Sequence, residues 1–324
     1  MKQLTRKVSP VKLVFAVLLL ALPAIFTAVG YSYGILTCCF AFLYIIAASG
    51  LDVNFGYCGQ ISMGHAAFFA IGAYGSAMMN KYWGIPVLVT MILASILATL
   101  VGALIAYPAS KLVFHFLSLS TIAFGEIVYT LILNSPGNIT GNAVGMFPAS
   151  ISLFGFELNT STRFYYFGLV CVVIFLLLKH LMVNSRVGQA WIAIRENTHA
   201  AGGMGINVTK YKVMSFAVSA FYTAFAGAMY AHLVNYIGPD TFAYKQSVMF
   251  VTMMLFGGTG SIAGPATGAV LLLLMTESLR VFEQYQVLLY GCLLLIVVVA
   301  LPGGIYGAVR SVFNKVMAKR KGGQ

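Results

Sequence analysis

The sequence predicts an all-α fold: a polytopic helical membrane protein of about ten transmembrane helices. Three observations lead there. Of 324 residues, 60% are hydrophobic and only 8% charged, with a mean hydropathy of +0.92; soluble globular domains are about a quarter charged. The apolar stretches are continuous runs near bilayer-spanning length, not the alternating pattern of a membrane β-barrel. One strongly polar stretch, Asn184 to Lys212, interrupts them, and such a stretch sits at a membrane face because hydrocarbon cannot solvate it.

In order along the chain, spans are expected near 11–29, 33–51, 60–80, 85–107, 112–133, 164–182, 213–236, 246–262, 265–283 and 286–301. The first follows Lys2, Arg6 and Lys7 in the manner of a signal peptide. Its apolar run is long and lacks a convincing small-residue cleavage site, so it reads as a retained helix. An even number of spans puts both termini on one side. Of the 19 Lys and Arg, all but Lys81, Arg163, Lys245 and Arg280 then share that side with the 184–212 segment. The positive-inside rule makes it the cytoplasm, and it accounts for the net charge of +12 without a nucleic-acid partner.

The third span opens in NFGYCGQISMGHAAFFAIGAY, Asn54 to Tyr74. Gly56, Gly59, Gly64 and Gly72 suit close helix approach or a break in the helix, and Gln60, Ser62 and His65 are polar groups that need partners at that depth. The segment reads either as a pore-lining gate or as tight packing alone. His65 is either a proton relay or a buried imidazole bonded to a backbone carbonyl. Glu126, in TIAFGEIVY, is the only carboxylate placed well inside a span. Intramembrane acids are pathway candidates, with hydration near the outer end as the alternative. So few buried carboxylates leave an ion-coupled carrier little to couple with.

The connection from Asn134 to Arg163 is the other long polar segment, rich in turn formers such as Pro136, Gly137, Asn138 and Gly141. It covers the pore, meets an external partner, or is a plain connector. In the 184–212 segment, Trp191, Ile192, Ile194 and Met204 have spacings that suit one short amphipathic helix. That helix either docks a soluble partner or lies in the headgroup layer with Trp191 as an interfacial aromatic.

The five cysteines, Cys38, Cys39, Cys58, Cys171 and Cys292, lack metal-ligand spacing and read as small packing hydrophobes. There is no GxxxxGK[ST] phosphate loop, HExxH site or nucleophile elbow, so the sequence argues against an enzyme. A short internal echo pairs Phe55-Gly56-Tyr57-Cys58-Gly59-Gln60-Ile61 with Phe256-Gly257-Gly258-Thr259-Gly260-Ser261-Ile262. As a true repeat it would mark the paired broken helices of transporters.

Three stretches carry a family resemblance: GYCGQISMGHAAFFAIGAY from Gly56, RVGQAWIAIRENTHAAGGMGINVTKYK from Arg186 and FGGTGSIAGPATGA from Phe256. Together they resemble the LivM-type permeases of high-affinity branched-chain amino acid ABC importers, over about residues 30–305. The urea permease subunit of similar importers is a close relative of that pattern.

The resemblance implies one ABC importer permease-like domain, 1–324, in the bacterial inner membrane, with a coupling loop at about 184–212 and an external loop at about 134–163. It implies uptake of Leu, Ile or Val by alternating access. The implied partners are a second homologous permease, two cytoplasmic ATPase subunits that bind the ATP, and a periplasmic binding protein, with membrane lipid around the body. No cofactor or metal is expected on this chain. The family's EAAxxxG coupling pattern would fall on His199-Ala200-Ala201-Gly202-Gly203-Met204-Gly205, with His199 replacing the Glu. Trp191, Ile194 and Met204 would then anchor the loop in the ATPase, oriented by Arg195 and Glu196. Gly59, Gln60, Ser62, Gly64, His65 and Glu126 would belong to the pathway or its gate, Gln60 and Ser62 facing the charged ends of the amino acid. Uptake of urea or short amides, or a carrier or channel working without ATPases, are the other readings.

Overall fold

The computed structural model describes residues 10–279 apart from 29, 31, 113, 154–155 and 158–159, together with 285, 288, 291, 295 and 304–308. The helices are α1 (Pro10–Ala28), α2 (Ser32–Asp52), α3 (His65–Trp83), α4 (Val87–Ala109), α5 (Phe114–Leu133), α6 (Ser161–Val183), α7 (Arg186–Glu196), α8 (Thr198–Gly203), α9 (Val208–Val234), α10 (Tyr244–Gly257) and α11 (Gly264–Leu279). A π-helical turn, Val53–Tyr57, extends α2.

The chain is a multi-pass membrane protein. Five described helices are long and apolar enough to cross a bilayer, at Tyr33–Tyr57, Val87–Ala109, Phe116–Leu133, Ser161–Val183 and Val208–Val234. Leu19–Ala28 and Gly264–Leu279 are shorter apolar helices. The expected ten spans are therefore matched by five among the described residues, and the expected span at 286–301 lies outside them except for 288, 291 and 295.

At the centre stands α9, packed against α2, α3 and α4. Its 27 residues measure about 40 Å at 1.5 Å per residue. Small residues set these approaches. A Cβ on Gly72 of α3 would meet the backbone of Ala224, and one on Gly227 of α9 would meet the backbone of Phe69. Each helix thus offers a glycine to the other, the way backbones come close in a membrane where apolar side chains have no water to escape. On the other side of α2 lie α6 and the α10–α11 pair. The first helix is held to α6 by Tyr165, whose hydroxyl donates to the Leu19 carbonyl at 2.7 Å.

Two span starts differ from expectation because backbone hydrogen bonding rather than hydropathy decides them, and the span expected over 246–262 ends early, at Gly257. The third span does not start at residue 60: the chain leaves the π turn, runs without helix over 58–64, and begins α3 at His65. The seventh begins at Val208 rather than 213, since the Asn207 side chain caps it by accepting from the Lys210 amide at 3.0 Å. Lys210 and Lys212 therefore belong to α9, and the polar connection ends at 207.

The 134–163 connection is more than a tether. It has short 3₁₀ turns at Pro136–Asn138 and Asn142–Val144, and two-residue strands pair Ser152 with Glu157. Met146 and Ile237 exchange two backbone hydrogen bonds at 2.9 Å, and His232 Nδ1 meets the Ala149 carbonyl at 2.6 Å. The segment is pinned to the α9–α10 turn.

Gly72→Leu is expected to prise α3 from α9 at a cost of about 1–3 kcal/mol or more. A lowered thermal midpoint of the detergent-solubilised chain would register it, and an unchanged midpoint would mean that the approach has slack.

Candidate functional site

Two interruptions of helix meet near one face of the bundle. The first is the run 58–64 between α2 and α3; the second is 258–263 between α10 and α11. Backbone at this depth must find partners inside the protein, and the structure supplies them with a small set of charges.

Asp52, at the end of α2, and Lys179, on α6, form an ion pair at 2.8 Å with both side chains wholly buried. Asp52 Oδ1 also accepts the Gly260 amide at 2.7 Å. Lys179 Nζ donates to the Ser261 carbonyl at 3.1 Å and lies 5.7 Å from the centre of the Tyr57 ring. The pair therefore joins α2, α6 and the second break. Two opposite charges inside apolar runs, SGLDVN and LLLKHL, were the signal that sequence reasoning missed. Glu126, expected as the one carboxylate well inside a span, is exposed on α5, and among the described residues the buried carboxylate is Asp52.

The polar connection caps this region with two helices where one was expected. Ser185 caps α7 by accepting from the Val187 amide at 3.2 Å. Asn197 caps α8 by accepting from the amides of His199 and Ala200, both at 3.0 Å, which stops α7 and starts α8 in one residue. Trp191 is the core of the arrangement, 0% exposed, with its indole N–H donating to the Tyr211 carbonyl at 2.9 Å. Ile194 and Ala201 are buried beside Val53, Tyr57, Cys58 and Val183. Trp191 and Ile194 thus anchor the connection to its own chain and are not available to a partner. Arg195 lies at the surface yet donates through Nη1 to the Gly56 carbonyl. Left on the outside are Ile192, Glu196, His199, Ala200, Gly205 and Met204, the last 85% exposed.

The remaining expected site residues divide. Gly59 has a left-handed backbone, φ +74°, that a side chain would strain. Gln60 does not face a path: its amide nitrogen donates to the Asn54 side chain at 3.1 Å, Ser215 at 2.8 Å and the Lys212 carbonyl at 2.9 Å. The carboxamide is consumed in tying the first break to the start of α9. His65 meets the Ser219 hydroxyl at 2.6 Å, not the backbone carbonyl expected for a structural histidine, and its ring packs against Phe68 and Phe216. Its Nδ1 and the Ser62 hydroxyl are buried without a hydrogen-bond partner. Gly64 lies so close to α5 that a Cβ would meet the Thr121 carbonyl, and the Met63 amide donates to the Thr121 hydroxyl at 3.0 Å. Glu126 is exposed on α5, next to Gly125, which faces Gly64.

An apolar helical bundle whose two unwound junctions are tied to a helical connection is the architecture of a membrane-embedded permease domain. The chain belongs to the family described as branched-chain amino acid transport system, permease component, whose model matches residues 33–298. Among its relatives are the high-affinity branched-chain amino acid transport system permease protein LivM of Salmonella typhimurium, 30% identical, and that of Escherichia coli, 29% identical. Each alignment covers 87% of this chain and 72% of the relative. The LivH permease of the Salmonella system is 25% identical over 82% of this chain and 91% of its own length. No solved structure matches the chain.

Lys179→Met alone leaves Asp52 buried without its counter-charge, a loss of about 3–5 kcal/mol. The double variant Asp52→Asn with Lys179→Met removes both charges and should recover most of it. Thermal unfolding of the two variants side by side in detergent checks the difference; equal midpoints would mean that water reaches the pair.

Proposed function

We propose that the chain is the transmembrane permease subunit of an ABC transporter that imports the branched-chain amino acids Leu, Ile and Val across the bacterial inner membrane. The observation that carries this reading, beside the family, is the α7–α8 connection. It is polar on one side, rooted in the membrane body on the other, and seated on both helix breaks. A connection that served only as a linker would need neither the buried Trp191 nor the contact to Gly56.

In this reading the α7–α8 face is cytoplasmic, both termini lie on that side, and the Lys and Arg surplus obeys the positive-inside rule. ATP is bound and hydrolysed by two separate ATPase subunits. They grip the surface left open on the connection: Glu196, His199, Ala200, Met204 and Gly205. A periplasmic binding protein delivers the amino acid at the opposite face, where the pinned 134–163 segment lies. Nucleotide drives alternating access only through its different affinity for the two states of the assembly.

A second, homologous permease completes the path, and α5 is where it belongs. Of the five long apolar helices, α5 is the least covered by its own chain, and it exposes Glu126 seven residues from its end, roughly 10 Å along the axis. A carboxylate at such depth is costly against lipid, so this face meets protein or a water-filled path. Gly64, held against the backbone of Thr121, ties α5 to the start of α3. Gly64→Leu is expected to part them and stop leucine uptake while the chain still inserts; normal uptake in membrane vesicles would make that contact peripheral.

Met204→Glu alters the open surface without touching the core and should weaken ATPase binding by roughly tenfold or more, as central interface residues do. Co-purification of the ATPase subunits and ATP-dependent leucine uptake in vesicles are the measurements. Uptake by the purified chain with no ATPase present would overturn the reading.

A further inference from the structure

The two helix breaks occupy matched places in the sequence echo. Gly59 and Gly260 fall at the same position of FGYCGQI and FGGTGSI, and both hold left-handed backbone, φ +74° and +69°. A chance echo of Phe, Gly and Ile would not be expected to reproduce that conformation at the same step. Both glycines also lie against one side chain. The stem of Arg195 runs along Gly59, so that a Cβ there would sit 3.2 Å from its Cγ. The same atom on Gly260 would sit 3.1 Å from Nη1. That nitrogen donates to the carbonyl of Gly56, itself packed on the Gly260 amide.

Trp191, Ile194 and Ala201 hold the connection by apolar contact, and the one directional bond among them, from the Trp191 indole, goes to the Tyr211 carbonyl on α9 and to neither break. A guanidinium on a carbonyl is directional, and glycine backbone can turn through dihedrals closed to other residues. The Asp52–Lys179 pair holds the Gly260 amide and the Ser261 carbonyl of the second break.

We propose that Arg195 is the positioning residue through which displacement of α7 reaches both glycine breaks together, with the Asp52–Lys179 pair as the fixed seat against which they turn. This rests on the reading of α7–α8 as the surface gripped by ATPases. On that reading it makes a single contact responsible for moving the α2–α3 and α10–α11 junctions in step.

The test uses the assembled importer in lipid vesicles and measures leucine uptake and ATP hydrolysis on the same sample, with co-purification of the ATPase subunits as the check on assembly. Arg195→Met is expected to lower uptake per ATP hydrolysed by roughly tenfold, within the usual range of coupling between sites. Arg195→Lys, which keeps the charge but not the planar fork, should restore part of the ratio; a merely structural role would change yield and leave the ratio alone. Should Arg195→Met assemble poorly, the double variant Asp52→Asn with Lys179→Met gives the second reading, with the same loss of uptake per ATP expected. An unchanged ratio in an assembled variant overturns the proposal. ATPase subunits that do not co-purify with the unaltered chain would instead overturn the permease reading on which it rests.

Discussion

Everything near the α7 face depends on how the membrane body satisfies the backbone it leaves open. A helix that stops inside a bilayer exposes amides and carbonyls that water would normally cover. Here such groups are taken up by Asp52, Lys179 and Arg195, each bound to backbone at a break or beside one, while Gln60 ties the first break to the Lys212 carbonyl of α9. The buried ion pair is stable in this setting because it is not a pair alone: its members also hold a peptide amide and a peptide carbonyl, so their remaining bonding capacity is used. Remove that arrangement and the unwound runs 58–64 and 258–263 lose their reason to exist.

The small residues have the complementary task. Gly72 and Gly227 let α3 and α9 touch backbone to backbone, Gly64 does the same between α3 and α5, and Gly257 and Gly268 do so within the α10–α11 pair. Close-packed helices of this kind shift as bodies rather than bend, and interiors at such density switch between arrangements instead of deforming smoothly. On the proposal made for Arg195, the joints of such a body are the two breaks.

Much of this was legible in the chain. Hydropathy gave the helical membrane class, and the glycine density of 56–74 marked the place where a helix would break or approach another closely. The polar stretch after Asn184 announced a connection with structure of its own. What could not be read was which way each side chain turns. Trp191 had the spacing of a partner-facing anchor and proves to be the root of the connection, because the groove between the π turn and α9 fills an indole better than water does. Gln60 looked free to meet a substrate and is bound by Asn54, Ser215 and Lys212. The Asp52–Lys179 pair escaped notice because its members lie 127 positions apart, and only folding brings such residues together.

The inward-turned indole of Trp191 has one more consequence. It makes the connection part of the packed body instead of a slack cord, because the indole is closed in by the π turn and α9. Two kinds of substitution then part company: a change at the bare tip, Met204, disturbs no packed neighbour, whereas any smaller side chain at Trp191 leaves a hole to be refilled.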